Sequence, residues 1–524
     1  MISPQTRLLV PLVLAVAAAE AGRVLMMAPL GGKSQKQLFY GLAKGLVERG
    51  HEVVFFNAFK PSTPVKGVRE VVPEELAKVF SDENFPNVFK MNKEGAFYAG
   101  ISQFRFMFVD GPKAALASKE LDELIQEEFD VVICGVFGYP VYFVPYLMKK
   151  PFILLTPMAH MPLQTNPVGN PNLPALHPLP LLHVSETMGF FARVKNVIAH
   201  IVVLSLGKMV FAPYCDRLIA EKFGDGVIPP ALEIEKNASL VLLSSNPAVH
   251  YHKPLLPNTI QVGGMHCLKP KPLPKELADF LGDSEFVFFS LGSIMQPRDM
   301  SPEQKAAILA ALGSLPYKVL LKWDTTDRIG LPANILPSKW LPQQDILGSS
   351  KCRLFISHGG FASVLESLCH GVPLLTMPGS GDHHYNAVNA VSLGVAELLS
   401  WDELTAESLR SAMAAALSAE RLAAARHRQR LMAEQPVPPR DLAVHWVEHV
   451  MRHGGAPHLR SVGAELNFFQ YYSLDVLAFL LAVLLLALKL LIAMLKCCCR
   501  CVCVRRTRRV PAETKPKAKR AKRD

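Results

Sequence analysis

The chain has 524 residues, half of them hydrophobic, and this length exceeds what one hydrophobic core usually supports, so two domains with accessory segments are expected. Of its formal net charge of +11, residues 496–524 carry 12 − 2 = +10, because twelve Lys or Arg stand there against two Asp or Glu. The nearly neutral remainder excludes the basic face that a nucleic-acid-binding body needs.

Residues 1–21 have the pattern of a secretory signal peptide. Arg7 precedes the apolar run LLVPLVLAVAAA, and a small-x-small cleavage pattern ends at Ala21. A first core strand is the less favoured interpretation, because a better strand, RVLMMAP, begins immediately afterwards.

The body begins with a predicted βαβ unit. The strand RVLMMAP leads through two glycines into a helix that Ser34 is expected to cap and that runs through Val47, before the strand HEVVFFNAF. The letters GGKS that end at Ser34 resemble the end of an ATPase phosphate loop. That motif requires Gly where Met27 stands, so we reject an ATPase.

The next segments alternate between clear and ambiguous patterns. The continuous apolar runs FDVVICGVF and PFILLTP are typical of buried parallel strands. The proline-rich residues 161–182 exclude helix and central strand, so we predict an irregular surface excursion. Residues 190–211 are apolar with spaced basic residues, which leaves open a buried helix or a helix lying against a membrane. Asn237 begins a glycosylation sequon.

A second α/β half follows a linker rich in Pro and Lys. Its predicted segments are, in order, FVFFSLGS, a helix from about Pro302 to Leu312, KVLLKW, NILPSKWLPQ, CRLFISHGG, a helix to about His370, and VPLLTMP. Two doubly wound halves that face one another form a cleft, and ligands bind there at the carboxyl ends of the strands.

The junction FISHGGFASVLE, residues 355–366, has the pattern of a phosphate site. Glycine between a strand and a helix permits positive φ and lets another molecule approach the backbone closely. The helix that begins after it directs unpaired N–H groups and partial positive charge at that molecule. The sequence therefore predicts a bound phosphate group after Gly360.

A membrane anchor is predicted near the carboxyl terminus. Val476 to Leu495 is apolar except for Lys489 and is long enough to span a hydrocarbon core of roughly 30 Å. The basic tail then predicts a cytosolic carboxyl terminus and a lumenal body. Arg520 and Lys522 stand where a dibasic endoplasmic-reticulum retrieval signal has its basic residues, although such a tail also suits contact with anionic lipid.

The ten cysteines form two groups. Five lie between 497 and 503, at the cytosolic membrane edge, where S-acylation is favoured over metal binding. The other five are scattered and odd in number, so they suggest no disulfide framework. These are Cys134, Cys215, Cys267, Cys352 and Cys369.

The run from Trp340 to Ala387 closely resembles the donor-binding signature of the UDP-glycosyltransferase family, which includes the animal UDP-glucuronosyltransferases. The resemblance extends through ERGHEVVFF, FSLGS and the approach to the membrane. It implies an α/β GT-B fold, with two Rossmann-like doubly wound domains facing a cleft and one carboxyl-terminal transmembrane helix. The helix at 190–211 is then expected to contribute to an acceptor pocket near the bilayer.

The resemblance also sets the expected domain order. The predicted segments are a signal peptide at 1–21, an acceptor-binding domain at 22–249, a linker at 250–284, a UDP-sugar-binding domain at 285–455, a juxtamembrane segment at 456–475, a transmembrane helix at 476–495 and a basic cytosolic tail at 496–524.

The resemblance assigns donor contacts to residue types that suit them. Trp340 offers its indole face to uracil and Gln343 an amide nearby, Glu366 accepts from the ribose hydroxyls, and Asp382 and His383 meet the sugar. Contacts to the diphosphate fall to Ser293, His358 and Gly360. The family commonly has Asp-Gln where this chain has Asp-His, and often Asn where it has Ala362, so glucuronic acid, glucose and galactose all stay open as the sugar.

The acceptor half departs from the family at its catalytic positions. The usual general-base His, sixteen residues before His51, corresponds to Gln35, and its acidic partner corresponds to Gly135. An amide cannot deprotonate an acceptor. Three interpretations follow: transfer to acceptors that need little help, such as carboxylic acids, acidic phenols or amines; recruitment of another base, for which His160 is the candidate; or a UDP-sugar- and lipophile-binding protein without transfer.

The sequence thus predicts an inverting UDP-glycosyltransferase in the endoplasmic-reticulum membrane, single-pass type I. Its expected partners are a UDP-sugar co-substrate, a small lipophilic acceptor and membrane lipid, with no nucleic acid, no metal site and no separate cofactor. The sequence leaves an oligomer open.

Overall fold

The structure is a computed structural model that describes residues 21–60, 64–81, 87–89, 105–135, 137–158, 162–182, 184–293, 295–379 and 381–507. The chain divides into two compact units, Met1–Ala464 and Glu465–Asp524. Residues 1–20, which hold nearly all of the predicted signal peptide, and the dibasic end of the tail lie outside the described residues.

The first sheet of the larger unit has seven parallel strands in the order β3-β2-β1-β4-β5-β6-β7. The strands are β1 (Arg23–Ala28), β2 (Glu52–Asn57), β3 (Val68–Val71), β4 (Val131–Gly135), β5 (Phe152–Thr156), β6 (Leu240–Leu243) and β7 (Thr259–Gln261).

The second sheet has six parallel strands in the order β10-β9-β8-β11-β12-β13. The strands are β8 (Phe286–Ser290), β9 (Lys318–Lys322), β10 (Ile335–Ser338), β11 (Cys352–Ser357), β12 (Leu374–Thr376) and β13 (Ala396–Leu398).

Helices connect and cover both sheets. In the first half they are α1 (Lys33–Glu48), α2 (Glu74–Val79), α3 (Gly111–Leu116), α4 (Lys119–Ile125), α5 (Phe143–Met148), α6 (Pro162–Thr165), α7 (Phe190–Leu206), α8 (Ala212–Phe223) and α9 (Ala231–Glu235). In the second half they are α10 (Lys275–Leu281), α11 (Pro302–Gly313), α12 (Gln343–Leu347), α13 (Phe361–Cys369), α14 (His383–Ser392), α15 (Ala406–Ala416), α16 (Ala419–Ala433) and α17 (Pro439–His453).

The predicted α/β class with two doubly wound halves is confirmed. Central strands such as β4 and β8 are buried along their whole length. Helices cover both faces of a parallel sheet, and its strands therefore have continuous apolar sequences. The strands missed by the sequence analysis, β3, β6, β7 and β13, are only three or four residues long. Such short segments carry too few residues for a periodic signal.

Two local predictions are wrong. The first helix begins at Lys33 with Gly32 as N-cap and has no side-chain cap, so Ser34 is not the capping residue. The proline-rich segment 161–182 is predicted to exclude helix and to lie on the surface, but it contains the short helix α6 (Pro162–Thr165) and much of its described part is buried. Proline is tolerated in the first turn of a helix, where its missing N–H would have no partner within the helix. Asn196 of α7 orders this segment, since its Oδ1 accepts from the Leu179 N–H at 2.9 Å and its Nδ2 donates to the His177 carbonyl at 2.8 Å.

The two sheets are joined on the first helix and on the segment that links them. A β-carbon at Gly41 of α1 would lie 2.6 Å from the His266 α-carbon. The last helix of the second half, α17, returns to the first half, where Glu448 Oε1 lies 3.3 Å from His51 Nε2 and Arg440 pairs with Glu48 at 3.0 Å. The chain after the second sheet therefore covers the first.

A disulfide between Cys267 and Cys369 ties the linker to the end of α13. The expectation that the body lacks a disulfide framework is therefore wrong for this pair. The two residues are separated by 102 positions, and only the fold brings them together. The buried Cys134, Cys215 and Cys352 are free thiols.

The smaller unit consists of a short helix, α18 (Phe468–Tyr471), and a long one, α19 (Leu474–Thr507). Leu474–Arg500 is apolar and long enough to cross a membrane, with a mean hydropathy of 3.0. The stretch predicted as an anchor lies within it. Cys497, Cys498 and Cys499 are exposed.

The disulfide predicts a stability change. Replacing both of its cysteines, in Cys267→Ser with Cys369→Ser, should lower the free energy of unfolding by about 2–4 kcal/mol, because the unfolded chain regains the entropy of a loop of about 100 residues. Thermal unfolding of the full chain in detergent, with and without dithiothreitol, measures the change. Dithiothreitol should destabilise the natural chain and leave the double variant unaffected; equal melting temperatures for all four samples would contradict the bond.

Candidate active site

A cavity of about 350 Å³ lies between the two halves of the larger unit, at the carboxyl ends of their strands. One wall comes from the first half and is mostly apolar. The other comes from the second half and is polar. The first wall is lined by Gly32, Ser34, Gln35, Leu38, Met107, Phe108, Phe137, Pro157, Met158, Leu163, Pro180, Leu181, Val203, Leu206, Gly207 and Phe211, and the second by His358, Gly360, Phe361, Ala362, Gly381, Asp382 and His383.

The apolar wall suits a lipophilic molecule. Aromatic rings form its floor, where Phe108 packs edge to face against Phe137 at 5.2 Å and Phe211 at 4.7 Å between ring centroids. The helix at 190–211 contributes Val203 and Leu206. Apolar walls with few polar groups are characteristic of small-molecule sites.

The polar wall is built around His358, which follows β11. A β-carbon at Gly292 would lie 2.5 Å from His358 Cε1, and one at Gly360 would lie 2.4 Å from Nε2. The imidazole therefore occupies space that only two glycines leave open. Burial, and then the neighbouring His383 and Lys322, hold the pKa of His358 well below its usual value. Its Nδ1 has no hydrogen-bond partner among the described residues.

The helix that starts beside His358 leaves its first N–H groups without a side-chain cap. Gly360 is the N-cap of α13 and provides no side chain. Gly359 has a φ of +78°, and a β-carbon there would lie 2.9 Å from the His383 carbonyl oxygen. Uncapped N–H groups and the positive end of the helix dipole at a cavity wall form an anion site.

Asp382 and His383 stand at the start of α14, opposite that helix terminus. Asp382 Oδ2 accepts from Asn386 Nδ2 at 2.8 Å, and the same nitrogen donates to the Gly359 carbonyl at 3.0 Å. The His383 ring packs edge to face on His358 with 4.6 Å between centroids. Burial lowers the pKa of His383 against the opposing effect of Asp382. Both imidazoles are therefore predominantly neutral at pH 7.

Lys322 is a charged neighbour of the polar wall that the sequence analysis missed. It ends β9, and its Nζ donates to the Gly292 carbonyl at 2.6 Å. Its charge acts on His358 strongly enough to help lower that pKa. The signal in the sequence is a lysine that closes an otherwise apolar strand, at the edge of the sheet where ligands bind.

Glu366, in the second turn of α13, is buried and held by two neighbouring amides. Gln343 Nε2 donates to its Oε2 at 2.7 Å and Gln344 Nε2 to its Oε1 at 3.3 Å. Burial raises the pKa of Glu366 to about 7 despite these donors. His266 Nε2 lies 3.8 Å from Oε1, but burial lowers the pKa of His266 to about 4, so the two form no salt bridge at pH 7.

The remaining predicted donor residues lie in loops and helix starts of the same half. Trp340 is 61 % exposed in the loop between β10 and α12, and Ser338 Oγ donates to its carbonyl at 2.7 Å. Gln343 also reaches Ser363 Oγ, at 3.2 Å. Ser293 follows β8 and accepts at its carbonyl from Gln296 at 2.7 Å. Of the predicted donor residues, only His358, Gly360, Asp382 and His383 line the cavity itself.

The structure brings Gln35 and Gly135 together at a second, small cavity of about 10 Å³ beside the first. The Gln35 Oε1 atom covers Gly31, where a β-carbon would lie only 2.0 Å away. A β-carbon at Gly135 would lie 3.1 Å from Phe39 Cζ, so Phe39 occupies part of the space that an acidic side chain there would need. Neither position supplies a proton acceptor of useful basicity.

Among the described residues of the first half, no titratable group around the cavity offers an alternative base. Lys36 lines the small cavity, but its Nζ pairs with Glu70 at 3.2 Å and donates to the Phe59 carbonyl. Among the described residues, the titratable side chains that line the main cavity are His358, Asp382 and His383. His160, the predicted substitute base, lies outside the described residues.

Two further predictions concern sites outside the cavity. Asn237 is exposed in the turn after α9. Within the part of the chain that the structure describes, no group of three or more His, Cys, Asp or Glu side chains is arranged to hold a metal ion.

Glycosyltransferases are among the solved structures that share this architecture. A UDP-glucosyltransferase from Polygonum tinctorium, solved in complex with 3,4-dichloroaniline, has a TM-score of 0.55 and 15 % identity, over 82 % of this chain and 99 % of that one. The calicheamicin glycosyltransferase CalG4 has a TM-score of 0.52 and 18 % identity, over 83 % of this chain and 99 % of that one. At these identities the likeness shows the GT-B fold.

Sequence comparison extends over nearly the whole chain. Human UDP-glucuronosyltransferase 1A1 is 33 % identical over 501 residues, 90 % of each chain. UDP-glucosyltransferase 2 of Dactylopius coccus is 30 % identical over 485 residues, 88 % of this chain and 90 % of that one. Residues 41–510 match the family described as UDP-glucoronosyl and UDP-glucosyl transferase. The chain therefore belongs to the UDP-glycosyltransferase family of enzymes.

Proposed function

We propose that the protein transfers a hexosyl or glucuronosyl group from a UDP-sugar to a small lipophilic acceptor, with inversion at the anomeric carbon. The observation that carries the proposal is the cavity with one apolar wall and one wall formed by an uncapped helix terminus, His358 and Asp382. The UDP-sugar is a co-substrate, and the proposed reaction uses no separate cofactor.

The polar wall supports the donor assignment. The diphosphate is placed at the start of α13, between Ser293, His358 and Gly360, where helix N–H groups stabilise the negative charge that builds up on UDP as it leaves. His358 is neutral at pH 7 and keeps one ring N–H, which donates a hydrogen bond to a phosphate oxygen. Trp340 covers uracil, Gln343 lies beside it, and Glu366 accepts from the ribose.

The sugar lies against Asp382 and His383 at the start of α14. Displacement then follows one line: the acceptor atom bonds to the anomeric carbon while the bond to the UDP oxygen breaks on the opposite side, which inverts the configuration. The UDP oxygen takes the electron pair of the broken bond. A carboxylate acceptor has no proton to lose, and an amine or acidic phenol releases its proton to solvent.

The missing base restricts the acceptor class. General-base help is worth about 10²–10⁴-fold in rate, and neither Gln35 nor Gly135 supplies it. Acceptors that are already ionised or nucleophilic at pH 7 are therefore favoured over simple alcohols. His160 is the remaining candidate base for acceptors that need one.

The residues Gln35 and Gly135, which supply no base, also favour a second candidate function. A protein with an intact donor wall and no catalytic dyad is able to bind UDP-sugars and lipophilic molecules without transfer. The family membership and the donor wall favour transfer, and product formation from a UDP-sugar distinguishes the two functions.

We propose the endoplasmic-reticulum membrane as the location, with a lumenal body and a cytosolic basic tail. The apolar helix α19 and the basic residues after it support this orientation. The Cys267–Cys369 disulfide supports an oxidising compartment for the body. Asn237 is a proposed glycosylation site on that side.

Trp340→Ala should weaken UDP binding under either function. Loss of base stacking is worth about 1–3 kcal/mol, which is about 5- to 150-fold in the dissociation constant. Isothermal titration of the full chain in detergent with UDP measures it. The matched control is Ile329→Ala, at an exposed position outside the site; equal affinity of the two variants would contradict the assignment of Trp340.

Donor affinity should decrease as the pH is lowered, because Glu366 becomes protonated. Its pKa of about 7 makes it mostly ionised above that pH, and an ionised carboxylate accepts ribose hydroxyls more strongly than a protonated one. Between about pH 8 and about pH 6 the affinity for UDP-glucose, whose diphosphate has no proton to gain in this range, should fall by up to about tenfold. In Glu366→Gln the slope should disappear; an unchanged slope would assign the titration to another group.

Restoring an imidazole should raise activity toward alcohols and ordinary phenols. Gln35→His alone is expected to give a partial gain, because Gly135 still lacks the acidic partner. Adding Gly135→Asp with Phe39→Leu, which makes room beside residue 135, should bring the gain toward about 10²–10⁴-fold. Product formation from radiolabelled UDP-sugars measures it.

Gln37→His, exposed two positions further along α1, is the matched control and should leave activity unchanged. If the natural chain binds UDP but neither it nor the restored variants form product with any phenol, amine or acid, the non-transferring function is the correct one.

A further inference from the structure

We propose that residues 87–89 of the first half position the turn of the second half that joins β12 to α14 and ends at Asp382. Val88 and Phe89 are positioning residues, because they touch the groups that support this turn and not the donor itself. The inference rests on the proposed function, since it concerns how the sugar of a UDP-sugar is held.

Residues 87–89 belong to the first half by sequence but to the second half by packing. Val88 is 1 % exposed and Phe89 7 %. Both belong to an apolar cluster whose other buried members, among the described residues, all lie between Val287 and Ala416. The first half therefore supplies two side chains to the core of the second.

Phe89 is connected to the start of the β12–α14 turn through Trp401. The two rings pack edge to face with 4.8 Å between centroids, which is a favourable arrangement for aromatic rings. Trp401 Nε1 donates to the Met377 carbonyl at 3.1 Å, and Met377 is the first residue after β12. The Phe89 ring thereby fixes the indole that holds the beginning of the turn.

Val88 packs against the middle of the same turn. A β-carbon at Gly379 would lie 3.0 Å from Val88 Cγ1 and 2.5 Å from Met295 Sδ, so the backbone of the turn lies directly on these two side chains. Met295 is 1 % exposed and follows shortly after Ser293 in the loop after β8. Val88 and Met295 together leave the Gly379 backbone no room to move inward.

The turn needs support from outside because its own backbone is permissive. Gly379 and Gly381 have no β-carbon, and Gly381 has a φ of +66°, in a region that glycine enters at little cost. Gly381 and Asp382 line the cavity. The position of the Asp382 carboxylate relative to a bound sugar therefore depends on the packing against the turn, which residues 87–89 complete.

This arrangement makes the sugar site depend on both halves of the body. In the proposed function Asp382 and His383 meet the sugar, whereas UDP lies against the start of α13. Loss of the packing at residues 87–89 should therefore weaken the contacts to the sugar more than those to UDP, since only the sugar contacts follow the turn. A merely structural role of Val88 and Phe89 would instead lower stability without distinguishing the two ligands.

Phe89→Ala tests the inference in the full chain in detergent. Isothermal titration measures the dissociation constants of UDP and of UDP-glucose, UDP-galactose and UDP-glucuronate. The variant should weaken binding of the preferred UDP-sugar by about five- to tenfold, as expected for the loss of one hydrogen bond, and change binding of UDP by less than about twofold. Phe89→Leu, which retains apolar volume next to Trp401, should recover most of the affinity.

Two further variants separate positioning from stability. Phe223→Ala removes a ring that packs on Phe143 with 5.0 Å between centroids, in a different core cluster, so it should lower the melting temperature and leave the affinities for UDP and the UDP-sugar unchanged. Trp401→Phe keeps an aromatic ring and removes the N–H that holds Met377. It should reproduce the loss seen in Phe89→Ala, and combining the two should add little further loss, because both act through one contact.

Equal losses of affinity for UDP and the UDP-sugar in Phe89→Ala, or no loss for either, would overturn the inference. If Phe89→Ala does not fold, Trp401→Phe decides by the same comparison. A natural chain that binds no UDP-sugar would refute the proposed function and the inference together. A natural chain that binds a UDP-sugar, loses it selectively in these variants and forms no product would refute the proposed transfer and retain the positioning role.

Discussion

The backbone at His266 and Cys267 holds the two halves of the body in register. On one side it packs against Gly41 of α1, where a side chain would collide with it, and on the other it is bonded through Cys267 to Cys369 at the end of α13. Gln344 joins it to the donor wall, since its Nε2 donates both to the His266 carbonyl and to Glu366. Movement of the donor helix relative to the first sheet would have to break these contacts, which therefore oppose a change in the width of the cleft.

The two walls of that cleft differ in how far their functional groups are held in place before a ligand binds. Close approaches at Gly292, Gly359 and Gly360 fix His358 and the start of α13 before any ligand arrives. Preorganised donors of this kind need no reorganisation when charge develops on a leaving group. The opposite wall supplies shape and apolar surface, with the Gln35 amide among its side chains. Under the proposed function, such a site suits an acceptor that is ionised or nucleophilic at pH 7.

One helix serves two environments in this arrangement. Asn196 attaches α7 to the proline-rich segment through the Leu179 N–H and the His177 carbonyl. The cavity takes Val203 and Leu206 from the same helix, and the outer face presents aromatic and aliphatic side chains with cations at their edges.

The sequence by itself determined the α/β class, most strands, the apolar segment that forms α19, and the donor signature, because continuous apolar runs, glycine junctions and local motifs are properties of neighbouring residues. The tertiary structure decided the contacts between residues that are distant in the sequence. It paired Cys267 with Cys369, set His383 against His358, placed Lys322 beside Gly292, and buried the proline-rich segment through Asn196. Such contacts depend on how the chain returns to itself, and no local pattern carries that information.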